Sequence, residues 1–261
     1  MKLATFLVTG TTEPVAGEVR DDVAVAFSDG ATVLDRLRTG DRTPAGGAQH
    51  PLSSVTLLAP VPRPRAIFGV GLNYAEHARE TGAQVPEVPL IFMKLPSSAA
   101  APGATITCPK VVRRLDYEGE LAVVLGPGGT IAGYAVADDV SARDLQRREP
   151  QWTRAKGFDD SAPYGPWITT ADEIDDPQNL LLRTWVNGEL RQNTSTSDMV
   201  FGPQAVIEFL QETCTLEAGD LILTGTPSGV GQGFDPPKFL ASGDVIRIEI
   251  ERLGAIEHRI A

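Results

Sequence analysis

The feature that most constrains this chain is how often it is interrupted. Glycine occurs 26 times and proline 20 times in 261 residues. Few intervals between them are long enough for an amphipathic helix, so the chain must fold through short strands and turns. Strand-length apolar or alternating runs fill those intervals: Leu3 to Val8, Val23 to Phe27, Ala66 to Val70, Leu90 to Lys94, Leu115 to Leu125, Ile131 to Asp138, Leu180 to Val186, Leu221 to Thr224 and Val245 to Glu251. Turn chemistry separates them, as in Gly126-Pro127-Gly128-Gly129 and Asn187-Gly188. Two helices stand out. Thr32 is placed to cap a short one carrying Val33, Leu34 and Leu37 on one face, and Pro203 to Glu212 carries Val206, Phe209 and Leu210 as an apolar stripe. The class expected is α+β, mostly β.

The segment Thr39 to Pro51 is rich in glycine, proline and polar residues, and Pro60-Val61-Pro62-Arg63-Pro64 resists helix. A boundary there would divide a small N-terminal β-rich domain, residues 1–60, from a larger domain, residues 61–261.

The balance of charge narrows the partners. With 23 Lys and Arg against 34 Asp and Glu, the net charge is −11, which argues against nucleic acid, since phosphate binding needs clustered cations. An anionic substrate would need a cationic pocket. Cys108 and Cys214 are far apart and form no CxxC pair, so neither a disulfide framework nor a thiolate zinc site is indicated. No apolar run is long enough to span a membrane. Met1 to Gly10 lacks the h-region of a signal peptide and reads as a strand, so the expected location is cytoplasmic.

Carboxylates supply the first chemical signal. In Leu115-Asp116-Tyr117-Glu118-Gly119-Glu120, residues two apart on a strand share a face, so Glu118 and Glu120 project side by side. Neighbouring carboxylates repel unless water or a cation separates them. Gly119 leaves the opposite face bare for close approach of another segment. Alone, the pair is better read as two ordinary surface glutamates on a solvent-facing strand. A second acidic stretch, Ala137-Asp138-Asp139-Val140-Ser141-Ala142-Arg143-Asp144, follows an apolar run, where loops gather functional groups. Carboxylates from two strand ends would give a hard cation much of an oxygen shell, suited to Mg²⁺ or Mn²⁺. The plainer role for Asp139 is a helix cap.

Other residues add to this. After Gly69-Val70-Gly71, His77 and Glu80 are neighbours on a helical turn, and a His held by a Glu is a usable general base. Arg143, Gln146 and Lys156 follow the acidic loop; they would clamp a carboxylate or serve as ordinary surface partners. Lys156 could form a Schiff base, though nothing in the sequence marks it as desolvated. Neither Gly69-Val70-Gly71 nor Gly229-Val230-Gly231-Gln232-Gly233 completes a dinucleotide-binding GxGxxG. Gly225-Thr226-Pro227-Ser228-Gly229 puts proline where the nucleophile of GxSxG would stand.

Together these stretches resemble the fumarylacetoacetate hydrolase family. The matching segments run in order: Gly71-Leu72-Asn73-Tyr74 with His77 and Glu80, Phe92-Met93-Lys94, Asp116 to Leu121, Asp139 to Gln146, Lys156 to Asp159, Gly165-Pro166-Trp167, Val186 to Glu189, and Gly219-Asp220 through Thr224 to Pro227. The resemblance implies a mixed β-roll catalytic domain and a homodimer. It implies Glu118, Glu120 and Asp139 as ligands of Mg²⁺ or Mn²⁺, and His77 with Glu80 as a catalytic dyad on a mobile lid. It also implies that Arg143, Gln146, Lys156 and Thr226 face the substrate. One departure is Asp138, where members usually carry Asn.

A metal that binds a 2-oxo acid through its keto oxygen and one carboxylate oxygen stabilises negative charge at C3 as a metal-bound enolate. Three outcomes share that species: hydrolysis of an acylpyruvate, decarboxylation of an oxaloacetate-type acid (a lyase), and proton transfer by an isomerase or tautomerase. The expectation is an enzyme on a small anionic 2-oxo or 1,3-dicarbonyl acid, with C–C cleavage preferred. The alternative is a 2-hydroxyhepta-2,4-diene-1,7-dioate isomerase or tautomerase activity of aromatic catabolism. A non-catalytic ligand-binding member is the reading of another class. Specificity is expected in Arg79 to Val88 and Gly231 to Phe239.

Overall fold

A computed structural model describes residues Met1–Ala261. Its centre is the strand Gly119–Leu125, buried at every position, as a near-continuous apolar run must be when both its faces are covered. It pairs antiparallel with Ile131–Asp138 on one side and Leu221–Leu223 on the other. Beyond Leu221–Leu223 the sheet continues through Ile67–Gly71 to an edge at Leu90–Lys94. In the other direction it passes through Ala162–Thr170 to Lys2–Val8, Val15–Arg20 and Val23–Ala26, and with Gln49–Pro51, Val55–Leu57 and Ala99–Ala100 twelve strands form one sheet.

A second sheet of five strands includes Glu189–Ser195, Leu181–Val186, Val245–Ile250 and Gly254–Ile260. The period of two along the central strand assigns its faces. Leu121, Val123 and Leu125 share a core with Leu182, Ile246, Ile248 and Ile256 of the second sheet. Ala122 and Val124 share another with Leu3, Val25, Val33 and Leu37 from the N-terminal strands and helix. The expected boundary near residue 60 falls between the strands Val55–Leu57 and Ile67–Gly71, while Leu3 pairs with Ile168 to carry the large sheet across it. The fold is α+β and mostly β, and no helix is long and apolar enough to cross a membrane.

Several elements differ from the sequence reading for local reasons. The single strand expected over Leu115 to Leu125 is two, Leu115–Asp116 and Gly119–Leu125. Asp116 Oδ1 accepts the Tyr117 N–H at 3.0 Å, and Asp138 Oδ1 accepts the Glu118 N–H at 2.7 Å, so side chains replace ladder partners there. Ala162–Thr170, one of the longest strands, was hidden by Pro163, Gly165 and Pro166. The helix Val33–Thr39 begins with the capping box at Thr32 and Asp35 and stops at Gly40, φ +67°. The helix Pro203–Gln211 buries Val206, Ile207 and Leu210; Phe209, expected on the stripe, is only half-buried.

Candidate active site

The register Gly119↔Asp138 between two neighbouring central strands brings the acidic stretches together. Gly119 faces the second sheet, where a side chain would collide with Thr184 Oγ1 and Gln192 Oε1. Glu118 and Glu120 therefore point the other way, towards Asp139. One carboxylate oxygen from each of the three residues lies within 4.8 Å of the others. Glu118 is 5% exposed, Glu120 1% and Asp139 0%, so neither a solvent-facing pair nor a helix cap describes them.

Buried carboxylates this close need cations. Lys156 Nζ donates to Glu118 Oε2 at 2.6 Å and to Asp139 Oδ2 at 2.7 Å. Lys94 Nζ donates to Asp139 Oδ1 at 2.6 Å and also to the carbonyl oxygen of Lys156. Arg143 Nη2 lies 2.6 Å from Glu118 Oε1, and its Nε donates to Asp116 Oδ2 at 2.8 Å. Burial opposes the charge on Glu118, but Arg143 and Lys156 outweigh it and hold the carboxyl down at about 2. Burial likewise opposes the charge on Lys156, yet Asp139 and Glu118 raise it above the ordinary lysine value. Lys156 is thus desolvated, which the sequence did not show, but it stands as a paired ammonium and not as a free amine poised for a Schiff base.

Glu120 is the exception. Its one hydrogen bond comes from the Gly225 N–H, at 2.7 Å to Oε2, and no Lys or Arg contacts it. Burial, then repulsion from Asp139 and Glu118, pushes its carboxyl well above the ordinary value. The cluster therefore offers three hard oxygen donors and one uncompensated buried carboxylate, a donor set that fits a divalent cation.

Above the cluster is a cavity of about 390 Å³ lined by His77, Glu80, Glu118, Arg143, Gln146, Lys156 and Thr226, among others. Every candidate from the sequence thus reaches the cavity or the acidic cluster beneath it. His77 Nδ1 lies 3.2 Å from Glu80 Oε2 on the helix Ala75–Glu80, and Glu80 Oε1 accepts the Gly229 N–H at 2.8 Å. A Cβ on Gly233 would run into the Glu80 carboxyl group, and one on Gly231 would lie 2.5 Å from Asp116 Oδ1. The glycine run at residues 229–233 is therefore shaped for close approach to acidic side chains, not to phosphates. Arg143 Nη1 donates to Gln146 Oε1 at 2.9 Å. Thr226 Oγ1 donates to the Gly119 carbonyl at 3.0 Å and accepts from Gln192 Nε2 at 2.8 Å, which fixes it at the cavity wall.

Asp138, the departure from the family pattern, turns away from the cavity. Its Oδ2 lies 2.9 Å from Nε2 of His258, and both side chains are fully buried. Lys94, Asn73, Gln192 and His258 were not among the sequence candidates. Asn73 ties the base of the His77 helix to the carbonyls of Phe201 and Thr224, at 2.9 and 2.7 Å. Lys94 carried a signal, as a lone cation ending an apolar strand; His258 carried none, because its partner is distant in sequence.

Residues 66–261 match the family model described as fumarylacetoacetate (FAA) hydrolase C-terminal. The chain belongs to the fumarylacetoacetate hydrolase family. Within that family it is 45% identical over 229 residues to an oxaloacetate tautomerase of Bacillus subtilis, covering 82% of this chain and 76% of that one. It is 43% identical over 222 residues to a mitochondrial oxaloacetate tautomerase of Homo sapiens, covering 80% and 71%. Among solved structures, the fumarylacetoacetate hydrolase of Exiguobacterium antarcticum superposes with a TM-score of 0.89 at 35% identity, covering 100% of this chain and 99% of that one. A 2-hydroxyhepta-2,4-diene-1,7-dioate isomerase of Mycobacterium marinum gives 0.82 at 33%, covering 100% and 98%.

Proposed function

We propose that this chain is a divalent-metal-dependent enzyme that moves a proton between C3 and the C2 oxygen of a small 2-oxo acid, with oxaloacetate as substrate. The observation that carries the reading is Glu120, a buried carboxylate without a side-chain cation, in a cluster below a cavity that holds a His–Glu pair. The choice among outcomes is supported by relatives above 40% identity named oxaloacetate tautomerases.

Glu118, Glu120 and Asp139 would hold Mg²⁺ or Mn²⁺. When bound, the ion acts as a Lewis acid for charge developing on the C2 oxygen. Lys94, Lys156 and Arg143 hold the carboxylates in place and balance their charge. With Nδ1–H donated to Glu80, His77 keeps Nε2 free as a base. His77 takes the proton from C3 and delivers it to the C2 oxygen, so the keto acid becomes its enol with no atom gained or lost. The reverse path is the same transfer read backwards. Gln146 and Thr226 orient the acid group at the wall.

A second reading keeps C–C cleavage, with His77 deprotonating water; the close superposition with a fumarylacetoacetate hydrolase favours it. Following the enol absorbance of oxaloacetate while assaying pyruvate and CO₂ separates the two. Metal-dependent change in enol absorbance without pyruvate supports the tautomerase. Stoichiometric pyruvate moves the assignment to cleavage, and no metal-dependent change in either sinks both. The proposal includes a homodimer, because Leu90, Met93 and Leu95 are exposed along the edge strand and Val111 beside them is 62% exposed. Sedimentation equilibrium showing only monomer at micromolar concentration would remove that part.

A further inference from the structure

We infer that Arg147 is the receptor for a second substrate carboxylate and makes the site selective for 2-oxo dicarboxylic acids over 2-oxo monocarboxylic acids. This deepens the function proposed above and rests on its placement of the substrate in the same cavity. The cavity wall carries the cationic side chains Arg143, Arg147 and Lys156 together with His77. Lys156 is held by Glu118 and Asp139. All three guanidinium nitrogens of Arg143 are committed: Nε to Asp116 at 2.8 Å, Nη1 to Gln146 at 2.9 Å, and Nη2 at 2.6 Å from Glu118. His77 faces Glu80. Arg147 alone has no carboxylate partner. Its one side-chain bond is from Nη2 to the neutral amide oxygen of Gln232, at 3.3 Å.

The helix Arg143–Arg148 explains the placement. Residues three and four apart share a face, so Arg143, Gln146 and Arg147 line up towards the cavity. Arg147 lies about 6 Å further along the axis than Arg143, whose guanidinium reaches the acidic cluster. An acid whose 2-oxo carboxylate end sits over that cluster would extend its other end along this face. There the free guanidinium offers paired N–H donors that match a carboxylate. A monocarboxylic acid would leave Arg147 with water and Gln232.

The test uses the metal-loaded chain and two probes, oxaloacetate and pyruvate, with binding read by calorimetry and turnover read separately. The native chain is expected to bind oxaloacetate more tightly than pyruvate. Arg147→Gln is expected to reduce that preference about tenfold, through the oxaloacetate constant alone. Arg147→Lys should restore part of it, and added salt should narrow it in the native chain. Arg148→Gln is the control; it removes the same charge one residue on, from a side chain paired with Glu149 at 3.0 Å outside the cavity wall, and should leave the preference intact. Equal loss for both probes in Arg147→Gln, an unchanged ratio, or no preference in the native chain overturns the inference. Failure to turn over oxaloacetate while the preference persists would overturn the tautomerase reading and leave the role of Arg147 standing.

Discussion

Glu120 and Glu118 are neighbours with opposite electrostatics, and the contrast makes a pH test possible. Glu118, held at about 2, stabilises the fold above the ordinary value of 4.5, and that contribution is lost as pH falls towards about 2. Glu120, raised by burial and by Asp139 and Glu118, has the opposite sign. Its ionisation costs stability as pH rises through its ordinary range, and a bound cation removes the cost. The gain in Tm on adding Mn²⁺ is therefore expected to grow as pH rises above the ordinary carboxylate range, because the ion must displace a proton at the acid end. An equal gain at every pH would contradict the assignment. Glu120→Gln keeps an acceptor for the Gly225 N–H and removes the buried charge. Metal-free, it should be at least as stable as the native chain, while Mn²⁺ affinity falls by more than about a hundredfold. Lys156 supplies a chemical check. As a paired ammonium it should give no adduct when oxaloacetate or pyruvate is added with borohydride; a reduced adduct on Lys156 in the mass spectrum would overturn its role as a fixed charge.

At the scale of elements, the site depends on two glycines that let strands and turns approach. Gly119 lies beneath the second sheet, and Gly119→Ala is expected to cost about 1–3 kcal/mol in denaturant unfolding, because Thr184 and Ile248 must shift. Gly225 adopts φ +96° to aim its N–H at Glu120, and a Cβ there would lie 2.7 Å from Asn73 Cβ and 2.9 Å from the Val70 carbonyl oxygen. Gly225→Ala should therefore lower metal affinity along with stability, whereas Gly119→Ala should act mainly on stability. These differences show what the sequence could disclose. The period-two spacing of Glu118 and Glu120, with bare Gly119 between them, already implied a shared face and a covered back. The cap at Thr32 and the helical spacing of His77 and Glu80 were equally local and equally legible. Ala162–Thr170 was not, because its prolines and glycine read as turn residues and only pairing with Ile131–Asp138 and Lys2–Val8 makes it a strand. Asp138 stands out in the sequence as a departure from the family pattern, but its partner His258 comes from the last strand, a contact that only the packed sheets create.

For the whole molecule, the N-terminal strands and helix form one wall of the core that carries the site. Leu3, Val25 and Leu37 cover Ala122 and Val124, and Leu3 pairs with Ile168 in the large sheet. Deleting residues 1–60 would bare that core and the edge of Ala162–Thr170, so the remaining chain should aggregate or lose its cooperative unfolding transition. A soluble 61–261 fragment with the native Tm would contradict this. Glu118, Glu120 and Asp139 together would hold one divalent cation, and turnover would depend on it. Titrating chelator-treated protein with Mn²⁺, while measuring bound ion by electron paramagnetic resonance and oxaloacetate tautomerisation in the same samples, tests this most directly. Both signals should rise together and saturate at about one ion per chain, and both should be lost in Glu120→Gln. Full turnover in the metal-free protein, or Mn²⁺ binding that Glu120→Gln leaves unchanged, would contradict it.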